Sequence, residues 1–453
     1  MARVAILKIY LKEQCFMKKL LAFCLALTMV IGLVTVAAQA DEPIEILFWS
    51  TRKSGGNLKV VEHEVETFNE TIGKELGIHV THEPQGGYPE IWAALSTAAG
   101  NVAPDVIALG NTYIPYALGE DMLADMAPLA AADNYDLAGN LMDWVLKIAG
   151  NTDGQIHSLP YIRSTPVLYY NKDIADELGI EIPEQITIEE LEAFGRAAML
   201  KDDQGNVTRY GFELLKDFGY YNAAWVYQLG SEFLAPEGGS PALEDGTMLK
   251  VLSDWRGWVD EGWCRPFDAS SQADGALQEF VAGRLASYIN SCSAMAGIIK
   301  NAKENNINMG VAMFPTYDKE NHVAEIGGGN IAIISEGKSD AKIKAAWEFI
   351  KFVMSDGEQY FNSINTGYCP CTLSVANDPE MAKFWEENPF YKVPFDQLNT
   401  AGRGQELPAL ETSQDFIQLC EDTAGRLIQA QETTPEEEVK RLIDGAANIV
   451  WNP

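Results

Sequence analysis

Few residues of this chain are both chemically able and well enough spaced to do chemistry. The five histidines are His63, His79, His82, His157 and His322. His79 and His82 fall three apart in a strand-like run, so they point to opposite faces, and no acidic third ligand is spaced with them. No metal site is expected. Cys369-Pro370-Cys371 holds two thiols on one face of an extended segment, rather far apart for easy bridging. No second cysteine pair stands at zinc-finger spacing, so these read as small buried residues. Gly337-Lys338-Ser339 has the tail of a phosphate loop, but the earlier glycine that such a loop requires falls at Ala332. No G-x-S-x-G nucleophile motif occurs. Glycoside hydrolysis needs two opposed carboxylates, and 65 acidic residues do not single out a pair. Binding chemistry is better represented. Gly327-Gly328-Gly329 could offer backbone amides to an anion, or simply allow a tight turn into a buried strand. Trp225 is a candidate stacking platform, whereas Trp49, Trp255, Trp258 and Trp263 read as core. Arg163 reads as the partner of an acidic neighbour rather than of a ligand.

The elements that must position such residues alternate. Ile44 to Trp49 is a short strand. Val61, Val65 and Phe68 recur at helical spacing before Gly77, and Ile78 to His82 is a second strand. A helix over Tyr88 to Ala99 precedes a buried strand, Pro104 to Leu109. This order predicts a parallel sheet with ligand contacts at the carboxyl ends of its strands. Asp153 to Leu159 reads as a hairpin turn and its second strand. Residues 187–230 read as mostly helical around the turn Asp202 to Asn206. Leu249 to Trp263 is an amphipathic helix, followed by a strand (Ala286 to Ile289), a helix (Ala294 to Asn301) and a strand (Gly310 to Met313). Ile331 to Ile334 is a buried strand entered through the glycines. The rest is mainly helical, broken at Pro379, Pro389, Pro394 and Pro408, and Glu436-Glu437-Glu438 reads as a solvated helix start. A chain that fills one α/β lobe, passes to a second and returns predicts two lobes joined by crossing strands, able to close by hinge rotation. The expected division is 41–163 with 290–345, and 164–289 with 346–453.

The bulk composition agrees. The chain has 453 residues, 47% hydrophobic and 22% charged, which allows two or three globular domains. Met17-Lys18-Lys19, the uncharged run Leu20 to Val36 and Ala38-Gln39-Ala40 before Asp41 predict a signal peptide over 1–40 with Met17 as the true start. An uncleaved membrane anchor is the alternative. Leu21-Ala22-Phe23-Cys24 lies too close to the lysines for lipidation. The formal charge is −32; taking the segment's five basic residues and Glu13 from 33 basic and 65 acidic leaves 28 and 64, or −36. That argues against nucleic acid and anionic lipid surfaces as partners. Five cysteines remain (Cys264, Cys292, Cys369, Cys371, Cys420), and an odd count in an exported chain leaves a thiol free or paired between molecules.

From Leu159 to Asp173 a polar turn runs into the apolar strand Val167 to Tyr170 and ends at Asn171-Lys172-Asp173, where Asp173 can cap the following helix. This string resembles the entry to the second lobe of extracellular solute-binding proteins of ABC importers, most of all their glycerol-3-phosphate and sugar branch. Four further pieces match in order: Phe48-Trp49-Ser50, Gly100 to Pro104, Phe280 with Gly283, and Thr366-Gly367-Tyr368. The resemblance spans nearly the whole chain after the signal. It implies an α/β, two-lobed periplasmic-binding-protein-like fold of type II, each lobe a mixed sheet flanked by helices. It also implies a secreted, monomeric, non-catalytic receptor without a cofactor, found in the periplasm or at the cell surface. Such a receptor hands a sugar, polyol or glycerol-phosphate-like solute to membrane permease subunits. By motif position the ligand contacts are Tyr88, Ser164, Ser291 (or its neighbour Cys292), Gly328, Tyr368 and Arg403. The family's acidic residue after the third strand aligns with Asn111, and its second-lobe tryptophans fall around Lys216 to Tyr220, where this chain has none. Hydroxyls and amides suit sugar hydroxyls, aromatic faces cover a ring, and a guanidinium can hold an anion by two bonds. Arg403 could alternatively be a surface ion pair. The overall charge opposes a phosphate, although screening beyond about 8 Å leaves local groups dominant. A secreted glycoside hydrolase and a ligand-sensing subunit of a membrane signalling system remain as other classes.

Overall fold

The structure, a computed structural model, describes residues 42–98, 102–136, 139–146, 155–266, 272–400, 403–405, 412–449 and 451. The targeting segment, the Asp153-Gly154 turn and Pro408 lie outside them. In chain order the strands are β1 (Ile44–Ser50), β2 (Ile78–Pro84), β3 (Val106–Gly110), β4 (Leu159–Ser164), β5 (Pro166–Asn171), β6 (Leu200–Lys201), β7 (Val207–Arg209), β8 (Phe212–Glu213), β9 (Cys264–Arg265), β10 (Ser287–Ser291), β11 (Met309–Met313), β12 (Val323–Glu325), β13 (Gly327–Ile333) and β14 (Arg403–Gln405).

Two five-stranded sheets organise the chain, in the orders β2-β1-β3-β13-β4 and β11-β5-β10-β8-β9. β1 and β3 are parallel, with Phe48 opposite Val106. β13 runs antiparallel to both β3 and β4, so the first sheet is mixed and not purely parallel. All five residues of β3 are buried, as expected of a central strand covered on both faces. The helices Gly55–Glu70 and Asp340–Val353 supply the cover: Phe349 meets Phe48 and Phe68 at ring distances of 5.3 Å each. In the second sheet β5 is antiparallel to β10 and β11. Its core holds Trp225, Trp255, Trp258 and Trp263, with Trp225 lying 5.7 Å from Trp255 and 5.8 Å from Trp258. The helix Thr247–Asp260 turns its apolar stripe, including Val251, Trp255 and Trp258, into that core.

The chain crosses between sheets through very short links. Only Thr165 separates β4 from β5, and only Ile326 separates β12 from β13. A third passage follows the helix Asp356–Thr366, where the Cys369 amide donates to the Arg163 carbonyl at 2.8 Å. These links correct the expected division. β10 and β11 pair within the second sheet, so these strands leave the first lobe. The helices Asp340–Val353 and Asp356–Thr366 pack on Gly55–Glu70, so residues 346 to 366 join it. A helix followed by a strand reads alike in either lobe; long-range pairing decides.

Two smaller expectations also change. Residues 187–230 are not mostly helical, because β6 and β7 form a hairpin about the Asp202–Asn206 turn and β8 enters the second sheet. Thr434 caps the helix Pro435–Ala446 in a capping box with Glu437, but Glu438 is fully buried and ion-paired to Arg426 at 2.8 Å. Only part of that acidic run is solvated.

Candidate functional site

Where the links cross, a cavity of about 390 Å³ opens between elements of the two sheets. Its size falls in the ordinary range of small-molecule sites. Six of the seven residues expected to touch a ligand line it: Tyr88, Asn111, Ser164, Ser291, Gly328 and Tyr368.

Each is held by local structure. Tyr88 opens the helix Tyr88–Leu95, whose start is fixed by Glu90 accepting from the Gly87 amide at 2.9 Å. Its ring lies where side chains are missing on two strands. A Cβ on Gly110 would sit 2.8 Å from the ring, and one on Gly329 would sit 2.6 Å from the hydroxyl. Gly327 does the same for Tyr220, whose ring a Cβ would approach to 2.1 Å. The glycine run is therefore strand rather than turn. Gly327, Gly328 and Gly329 pair with Ser164, Arg163 and Ile162, and the missing side chains admit two tyrosine rings. Gly328 itself has φ +111°, a conformation that favours glycine.

Asn111 follows β3, and its side-chain oxygen accepts from Asn330 at 2.9 Å. The Tyr220 hydroxyl lies 2.9 Å from both Ser164 Oγ and Ser291 Oγ, and Ser291 Oγ continues to Ser293 Oγ at 2.8 Å. Ser164 ends β4 and Ser291 ends β10, so this chain of hydroxyls joins the two sheets. Cys292, the alternative to Ser291, is fully buried beneath the wall with its thiol 3.4 Å from the Thr165 amide. Tyr368 follows Gly367, where a Cβ would fall 2.2 Å from the Cys292 carbonyl. Burial pushes the hydroxyls of Tyr88, Tyr220 and Tyr368 above the ordinary tyrosine value, so all three remain protonated and can donate.

Other expectations are corrected. Trp225 does not face the cavity: it is 0% exposed and its indole donates to the Pro315 carbonyl at 3.0 Å, which makes it core. Among the described residues no carboxylate pairs with Arg163; it donates to the Ile162 and Gly329 carbonyls and to Asn330. The backbone of Arg403 pairs with Val323 across β12 and β14, while its side chain lies outside the described residues. Lys338 pairs with Asp105 at 2.8 Å and Ser339 caps the helix Asp340–Val353, which accounts for the phosphate-loop fragment. All five described cysteines are buried and free. Among the described residues no group of three or more His, Cys, Asp or Glu is gathered as a metal cage.

Several lining residues were not expected from the sequence: Thr51, Thr112, Tyr220, Ser293, Asp217 and Glu325. Tyr220 falls within Lys216 to Tyr220, where the resembled family has tryptophan, and that coincidence could have found it. Asp217 accepts from the Tyr220 amide at 2.9 Å, and burial raises its pKa. The wall is thus rich in hydroxyls and aromatic faces, has two carboxylates, and carries no Lys, Arg or His among its described residues.

Comparison with known proteins places this architecture. A family model described as bacterial extracellular solute-binding protein matches residues 65–390. The sn-glycerol-3-phosphate-binding periplasmic protein UgpB of Brucella melitensis is 26% identical over 384 residues, spanning 82% of this chain and 85% of its own. Its Yersinia pestis namesake is 25% identical over 397 residues, spanning 83% and 84%. Two solved structures share the fold at a TM-score of 0.74, each covering 89% of this chain and 97% of its own. They are UgpB of Mycobacterium tuberculosis in complex with glycerophosphocholine, 20% identical, and the GacH receptor of Streptomyces glaucescens, 19% identical and studied unliganded and with acarbose. Among the described residues no helix is long and apolar enough to cross a membrane. The chain belongs to the bacterial extracellular solute-binding protein family, the non-catalytic binding components of ABC importers.

Proposed function

We propose that this protein is the receptor of a carbohydrate-type ABC importer, and that it takes up an uncharged polyhydroxylated solute, a sugar or polyol, between its two sheets. One observation carries the reading: the cavity joins three tyrosine faces, five hydroxyl side chains and two carboxylates, with no basic group among its described lining residues. Hydroxyls and carboxylates accept from sugar hydroxyls, protonated tyrosines donate to them, and ring faces cover the apolar side of a pyranose. An anion would instead bring its charge toward Asp217 and Glu325 with no compensating cation in the described wall.

The ligand contacts in this reading are Tyr88, Asn111, Ser164, Ser291, Gly328 and Tyr368, joined by Tyr220. Binding works as a population shift. A solute touching both sheets stabilises the closed arrangement by the contacts it makes only there, and the closed form is what permease subunits engage. The protein is exported by the segment 1–40 and acts outside the cytoplasm as a monomer. A phosphorylated ligand is the second reading. The relatives named for sn-glycerol 3-phosphate favour it, and Arg403 would be the residue holding the anion.

Titration calorimetry with maltose, glucose and sn-glycerol 3-phosphate separates the two. The expected result is measurable binding of a neutral sugar and at least tenfold weaker binding of the phosphate. The opposite order overturns the neutral reading. Arg403→Ala should then leave neutral-sugar affinity within about threefold, but weaken an anion by about 1.5–3 kcal/mol if the phosphate is the cargo.

A further inference from the structure

We infer that Arg52, which does not line the cavity, is a positioning residue that fixes Tyr368 in the ligand wall. Arg52 is 1% exposed. Its guanidinium lies 4.7 Å from the Tyr161 ring centroid on β4 and 5.7 Å from the Tyr368 ring centroid, within the range of cation–aromatic attraction. Nη2 donates to Asn362 Oδ1 at 2.9 Å, and Nη1 lies 3.8 Å from Glu64 Oε2. Glu64 in turn accepts from the Tyr161 hydroxyl.

The elements matter more than the bonds. Asn362 sits on the last turns of the helix Asp356–Thr366, which ends at Gly367 and delivers Tyr368 directly into the cavity. Glu64 sits on the helix Gly55–Glu70, and the two helices touch closely at Gly56, where a Cβ would fall 2.3 Å from the Asn365 carbonyl. The residue before Arg52 is Thr51, itself part of the cavity wall. One cation therefore ties the loop after β1, strand β4 and both helices to the ring that faces the solute.

A buried charge is an expensive way to fill space, and well-packed apolar side chains of the same volume are often at least as stabilising. The directional fork of a guanidinium gives something that apolar packing lacks: it sets the distance and tilt of its partners. Tyr368 is a partner of Arg52 that also lines the cavity. Its hydroxyl reaches Ser293, the end of the hydroxyl chain through Ser291 and Tyr220, so its placement governs how both walls meet the solute.

The test compares wild type with Arg52→Met, near in volume but uncharged, by hydrogen–deuterium exchange of the full chain without any sugar. The expected result is at least tenfold faster exchange at residues 366–369 and 50–52, with β3, β13 and the helix Asp340–Val353 unchanged. A uniform acceleration across the first sheet would make Arg52 a core residue and nothing more. No acceleration at 366–369 would also overturn the inference. Should Arg52→Met fail to fold, Asn362→Ala keeps the cation and removes only its link to the helix. It should accelerate 366–369 at least threefold, and a uniform or null response there overturns the inference in the same way. The relevance of Tyr368 to a solute rests on the reading of the cavity given above. Because the exchange experiment contains no sugar, the two can fail separately.

Discussion

The two halves bury their aromatic residues in different company. Around the second sheet four tryptophans meet ring to ring in an apolar core, with the Trp225 indole satisfied by one backbone carbonyl. Around the first sheet, rings are interleaved with buried ionisable groups: Arg52 beside Tyr161 and Tyr368, Glu64 against Tyr161, and Arg163 on Asn330. Apolar burial has no directional bond, whereas hydrogen bonds and guanidinium stacking are directional. The half that uses the second kind of burial contributes Tyr88, Asn111, Gly328 and Tyr368 to the cavity. The contrast separates residues that hold the fold from residues that aim the site.

The largest expected effect lies on the apolar side. Trp225→Ala should lower unfolding free energy by about 3–5 kcal/mol, the usual cost of emptying a buried aromatic site. Denaturant titration would measure it. If the contrast is right, maltose affinity at temperatures where the variant stays folded changes by less than about threefold. A large affinity loss would return Trp225 to the site.

Next comes a pH effect, for which Glu64 is the test on the charged side. Burial raises the Glu64 carboxyl from 4.5 to about 7, despite Arg52 nearby at a distance too long for a hydrogen bond. Between those two values the folded chain holds a proton at Glu64 that the unfolded chain has released. This contribution therefore makes stability fall as pH rises from about 4.5 to about 7, and it is flat above. Glu358 and Glu421, also raised to about 7, act the same way. His82 and His322, depressed to about 4 by burial, oppose them as pH rises toward 6.5. Glu64→Gln isolates its share. The difference in stability between wild type and variant should shift by about 1–3 kcal/mol across that window, to the disadvantage of wild type at the higher pH. A difference independent of pH would place the carboxyl in an ordinary environment.

The smallest effect should come from Tyr220→Phe. It removes the hydroxyl joining Ser164 and Ser291 but keeps the ring on Gly327. Calorimetry should show neutral-sugar affinity lower by about 1 kcal/mol, with stability nearly unchanged.

Most strands were legible because their apolar runs are short and bounded by turn residues, as in Ile44 to Trp49 and Gly310 to Met313. The location of six candidate contacts came from motif position, not from periodicity. Tyr88 or Ser164 alone is indistinguishable from any half-buried polar residue. What stayed hidden depends on contacts between distant segments. The pairing of β5 with β10 and β11, which moves the lobe boundary, spans more than a hundred residues and leaves no trace in local pattern. Trp225 looked available because a tryptophan on a short helix has no sequence mark telling core from surface. Tyr220 and the glycine run each explain the other only once they are in contact.

The single-residue links between sheets have a genetic consequence. Thr165 is gripped by Gln397, whose amide donates to the Thr165 hydroxyl at 2.7 Å and to the Pro166 carbonyl at 2.8 Å. Deleting one codon there would slide β5 by one position and swap every outward side chain of that strand for an inward one. The Asp202–Asn206 hairpin tip, by contrast, is exposed and its hydrogen bonds stay within the turn, so reading-frame-preserving insertions belong there and not at the joint.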